Sequence, residues 1–132
     1  MIRLSFLLVF LSYSCSPGNV VRETHSTPPA QTYSQDSLYI YFTGGFLNDS
    51  LVIEYANNRI IETNVTSDEG QGFAVKNVIP SKGVETIRVS LFRPNKRYST
   101  EIPNEGGNFM EVWYCKDDEL KHYRRNEPFR FD

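Results

Sequence analysis

From residue 37 onward, apolar and polar positions alternate with a period of two, the pattern of strands with one face buried and the other facing water. Leu38, Ile40 and Phe42 alternate with Tyr39, Tyr41 and Thr43. Leu51, Ile53 and Tyr55 alternate with Val52 and Glu54, and Ile87, Val89 and Leu91 with Arg88 and Ser90. Read along its length, the chain predicts strands near residues 38–43, 51–56, 59–65, 72–79, 84–92, 97–102, 109–115 and 120–125, with a further short strand at 129–131. No stretch carries the 3.6-residue period of an amphipathic helix.

The connections have turn chemistry. Asn57-Asn58 tolerates the positive φ of a two-residue type I′ hairpin, Pro94-Asn95 suits the centre of a type I turn, and Asp117-Asp118 joins the strand ending at Cys115 to the one starting at Leu120. Three hairpins follow from these turns. Residues 68–72 and 103–108 read as longer loops. Many short strands separated by turns predict an all-β fold, an antiparallel β-sandwich of immunoglobulin-like or transthyretin-like kind with about eight strands. A closed β-barrel is the alternative.

Ahead of this region the pattern changes twice. In residues 1–14, Arg3 precedes an apolar run from Leu4 to Leu11 broken only by Ser5, and Ser12-Tyr13-Ser14 follows. That is the layout of a secretory signal peptide. The run falls well short of the roughly 20 apolar residues of a membrane-spanning helix. Residues 16–36 are rich in Ser, Thr, Pro and Gln, include Thr27-Pro28-Pro29, and have almost no large apolar side chain before Tyr33. Such a segment has too little apolar surface to order itself and reads as a flexible tether. The expected organisation is a signal peptide at 1–14, Cys15 and its tether at 15–36, and one β-sandwich domain at 37–132.

Composition narrows the function. With 14 basic against 16 acidic residues and a net charge of −2, there is no cationic excess to neutralise a phosphate backbone, which argues against nucleic acid as a partner. The basic stretch from Lys121 to Arg125 directly follows Asp117, Asp118 and Glu119 and reads as a solvated hairpin of mixed charge.

The apolar run that ends at Ser14-Cys15 resembles the lipobox of bacterial lipoproteins, in which a small residue precedes a cysteine that is acylated and becomes the mature N-terminus. Ser14 matches that small position; Leu11 stands one place upstream of the family's usual leucine, and Tyr13 is bulkier than the pattern. The resemblance spans about the first 16 residues. It implies lipidation of Cys15, a membrane partner through the lipid anchor and a place in the cell envelope, and the lack of an acidic export cluster in Ser16-Pro17-Gly18-Asn19 favours the periplasmic side of the outer membrane. Stable anchoring needs more than one acyl chain, a condition that lipoprotein modification meets. The alternative is an ordinary secretory peptide cut nearby, which leaves Cys15 free or paired with Cys115 in an oxidising compartment.

Catalytic chemistry is sparsely supplied. His25 lies in the tether and His122 stands apart from other ligand types, so no metal site is expected. Asp68 and Glu69 lack the alternating oxygen ligands of a calcium loop. Cys115 with His122 is the one Cys/His pair, and Glu54 with Glu62 is the carboxylate pair most easily brought onto neighbouring strands. Both suit structural or solvated roles better, so the expectation is a non-enzyme without cofactors.

Aromatics are the unusual feature, 14% of the chain. Met110, Val112 and Tyr114 fall on one face of their strand, which leaves Trp113 with Glu111 on the other. Tyr39 and Tyr41 likewise lie opposite Leu38, Ile40 and Phe42. If the face with Glu111 is wet, Trp113, Tyr39 and Tyr41 form an exposed aromatic surface for a glycan or an envelope protein. The resulting expectation is a non-catalytic binding module, with a carbohydrate-binding module, an inhibitor or immunity-type lipoprotein, and a small hydrolase as its rivals. Asp36-Ser37-Leu38 and Asp49-Ser50-Leu51 also resemble an O-glycosylation motif of exported bacterial proteins.

Overall fold

The computed structural model describes Cys15 and residues 32–131. Residues 1–14, expected to be a signal peptide, residues 16–31 of the expected tether with His25 among them, and Asp132 lie outside the described residues. Eight strands form the domain: β1 (Ser37–Phe42), β2 (Asp49–Tyr55), β3 (Asn58–Val65), β4 (Val75–Pro80), β5 (Thr86–Arg93), β6 (Lys96–Pro103), β7 (Phe109–Cys115) and β8 (Glu119–Arg125). They make two four-stranded sheets, ordered β4-β1-β7-β8 and β3-β2-β5-β6. The fold is a β-sandwich; neither sheet closes into a barrel. All pairings are antiparallel except β1 with β7, which run parallel with Tyr39 opposite Phe109 and Tyr41 opposite Glu111.

The alternation read from the sequence sets the core. Leu38, Ile40, Phe42, Met110 and Val112 of the first sheet face Leu51, Ile53, Ile87, Val89, Leu91 and Ile102 of the second, and all are buried. Inner faces of this kind pack about 10 Å apart with interdigitating side chains. The three expected hairpins are β2-β3, β5-β6 and β7-β8.

The turns differ in detail. Tyr55 pairs with Asn58, so the first hairpin turns at Ala56-Asn57, one place before Asn57-Asn58, and Ala56 takes a φ of 48°. Asn95 sits at φ 69°, which makes Pro94-Asn95 a type II turn and not type I. Between Cys115 and Glu119 three residues loop around, closed by the Asp118 N–H donating to the Cys115 carbonyl at 3.1 Å, with Asp118 left-handed at φ 65°. The short strand expected at 129–131 is absent; that segment is irregular and covers the first sheet from outside.

That covering is the main departure from a two-layer sandwich. Tyr39, Tyr41 and Phe109 on the outer face of the first sheet join Phe129 in a second buried cluster, with Tyr33, Phe73 and Phe131 packed against it. Three irregular segments supply the cover, around Tyr33, Phe73 and Phe129. Tyr33 meets Tyr39 and Phe109 edge-on at 5.0 and 4.9 Å, and Phe73 and Phe129 meet Tyr41 at 5.8 and 5.7 Å. Both spacings are those at which aromatic pairs attract beyond simple burial. The folded unit therefore starts by Tyr33, inside the stretch expected to be tether. The Asp36 carbonyl, which accepts from Ser81 N–H at 2.8 Å, ties that start to β4's end.

Burial of Tyr41 has a measurable consequence. Desolvation pushes its hydroxyl up to about 12, with Tyr33 and Tyr39 nearby adding to the shift. An unfolded tyrosine ionises near pH 10. Because the folded value is the higher one, the contribution is complete below about pH 10 and is lost as pH rises toward 12. Tyr41→Phe is expected to flatten this alkaline loss, as measured by urea unfolding at pH 9 and pH 11.5; an unchanged slope would place Tyr41 in water.

Candidate functional site

The expected aromatic surface is on one face, as parity requires, but that face is not open. Tyr39 and Tyr41 are 9% and 4% exposed beneath the aromatic cover. Glu111, taken as the mark of a wet face, is itself buried at 3% and accepts a hydrogen bond from the Thr43 hydroxyl at 2.8 Å. A buried carboxylate is tolerated when donors reach it, and Thr43, directly after β1, lies beside it. Trp113 is half-buried, and its indole N–H is buried without a hydrogen-bond partner among the described residues. Tyr39 and Tyr41 thus belong to the packing of the outer layer, whereas Trp113 is half-buried outside that cluster.

Cys15 lies beside Cys115. Its Sγ is bonded to Cys115 across 100 residues of sequence, with the two Cα atoms 5.6 Å apart, within the usual span for a disulfide. Cys115 shares the outer face with Glu111 and Trp113 and is 1% exposed. One sulfur cannot hold both a disulfide and an acylglyceryl thioether. The Cys15–Cys115 bond is the pairing weighed from the sequence as the alternative to lipidation.

The residues weighed for catalysis are kept apart. Cys115 is on the outer face of β7, whereas His122 pairs with Val112 and so lies on the inner side at the edge strand. Glu54 pairs with Arg59 on the outer face of the second sheet, whereas Glu62 stands opposite Leu51, on the other side. Neither pair converges. Among the described residues no group of three or more His, Cys, Asp or Glu gathers as a metal site would require. Asp49 of the second Asp-Ser-Leu triplet is 3% exposed and forms a two-pronged ion pair with Arg93, both contacts at 2.9 Å. It serves the structure.

A concave site does form where the aromatic cover leaves a gap. A cleft of about 510 Å³ is lined by Tyr33, Ser34, Gln35, Asn108, Phe109, Asn126 and Pro128. Three separate stretches meet there. The loop before β7 passes so close to the end of β8 that a Cβ on Gly107 would run into the Arg125 carbonyl, which sets Asn108 beside Asn126. The Asn108 side-chain amide then donates to the Gln35 carbonyl at 2.9 Å, drawing in the entering chain. The Ser34 N–H donates to the Tyr39 hydroxyl at 2.8 Å and fixes the rim. None of the lining residues carries a charge. Arg125 and Glu127, which flank Asn126, pair with each other at 3.3 Å.

These cleft residues were not among the candidates read from the sequence. The available signals were Tyr33, the first large aromatic after the polar stretch, and the long loop at 103–108. No protein-family model, curated protein or solved structure matches this chain.

Proposed function

We propose that this chain is an exported protein of the cell envelope that works by binding and not by catalysis. The observation that carries the reading is the Cys15–Cys115 disulfide, since structural disulfides persist in oxidising compartments outside the cytosol. Export is supported by Arg3 and the apolar run from Leu4 to Leu11. Small residues at Ser12 and Ser14 suit cleavage just before Cys15, which would make that cysteine the first residue of the mature chain. Binding as the mode of action is supported by a rigid sandwich that presents an uncharged cleft while its Cys/His and Glu/Glu pairs lie on opposite faces.

Fractionation of the native cells with thiol alkylation tests this. The mature chain is expected in the envelope fraction, with both cysteines blocked until a reductant is added. Recovery from the cytoplasm with both thiols alkylated would overturn it.

A further inference from the structure

Resting on the reading of this protein as a binding module, we infer that the cleft between Tyr33 and Asn126 takes an uncharged, hydroxyl-rich ligand, a neutral saccharide segment. The chemistry of its lining points there. Side-chain amides are the uncharged groups that offer a donor pair and an acceptor on one short stem, which is what a ring of vicinal hydroxyls demands. Gln35 and Asn126 are exposed and their amides make no hydrogen bond among the described residues. Asn108 spends its N–H on the Gln35 carbonyl, which leaves its own oxygen available as an acceptor.

The apolar part of the cleft is aromatic and rigid. Phe109 is 4% exposed and stacks on Tyr39 at 5.3 Å, and Tyr33 is wedged edge-on against both. Sites that bind small molecules combine such apolar walls with a few placed polar groups. The C–H face of a sugar ring fits the part-exposed ring of Tyr33, which buried Phe109 backs, and its hydroxyls fit the amides. An anionic ligand is disfavoured, because the adjacent Arg125 is held by Glu127 and lies 5.2 Å from the Phe129 ring centre. The carbohydrate function thus moves from the outer face of Trp113 to the rim of the aromatic cover.

Titration of maltohexaose, cellohexaose and chitohexaose into the isotope-labelled oxidised protein tests the inference by amide chemical shifts. At least one neutral hexasaccharide is expected to shift Ser34, Gln35, Asn108 and Asn126 saturably, with a dissociation constant on the order of 1 mM, the range of a shallow site with few contacts. The double variant Gln35→Ala, Asn126→Ala keeps the bond from the Asn108 amide to the backbone carbonyl of residue 35 and should weaken that binding about tenfold, the loss expected for two neutral hydrogen bonds. No shift with any of the three, shifts unaffected by the double variant, or tighter binding of a hyaluronan hexasaccharide would each overturn it. Those failures would leave the chain exported and oxidised, whereas failure of the underlying reading would show in the fractionation.

Discussion

Removing the Cys15–Cys115 bond is expected to lower the stability of the mature protein by about 2–5 kcal/mol. A cross-link restricts the unfolded chain in proportion to the logarithm of the loop it closes, and a loop of about 100 residues approaches the top of that range. The observed separation is 100 residues. Against a total of roughly 5–15 kcal/mol for a small domain, this is the largest single contribution identified in the molecule. The double variant Cys15→Ser, Cys115→Ser avoids a stray thiol and should melt on the order of 10–20 °C lower than the oxidised parent. Equal midpoints with and without reductant would mean that the two cysteines are not joined in the native fold.

The second large effect is expected at Phe129. This ring is 6% exposed, lies 5.7 Å from Tyr41 and 6.0 Å from Phe131, and belongs to a segment with no strand pairing to hold it. Its burial is what fixes the tail on the sheet. Phe129→Ala should cost about 3 kcal/mol, the low end for a buried aromatic because the site borders solvent and can partly collapse. Urea unfolding should show a lower midpoint with an unchanged slope. A change within about 0.5 kcal/mol, the scale of an ordinary surface substitution, would mean that the tail does not pack and that Tyr41 lacks its cover.

The strands were legible because the inner faces are pure. Leu38, Ile40, Phe42 and Ile87, Val89, Leu91 alternate without exception, and each lies in the core. The errors began where one residue type serves two environments. Glu111 looked like a marker of water, yet Thr43, far away in sequence, satisfies its carboxylate in the interior. Tyr39 and Tyr41 looked outward because the second layer that buries them comes from irregular segments, which have no periodicity to read. The first turn slipped by one place because Ala56 takes a positive φ that would have been expected of asparagine. The cleft was invisible for a related reason: Gln35, Asn108 and Asn126 are ordinary loop residues until the fold sets them side by side.

The covalent state of Cys15 tests the central claim most directly, because an exported, oxidised sandwich and a lipid-anchored one differ at that single sulfur. Peptide mapping of the native mature protein, digested without reduction and analysed by mass spectrometry, reads it. A cross-linked pair joining the Cys15 peptide to the Cys115 peptide, lost on reduction, is the predicted result. A Cys15 peptide carrying a diacylglyceryl group, with Cys115 recovered as a free thiol, would contradict it.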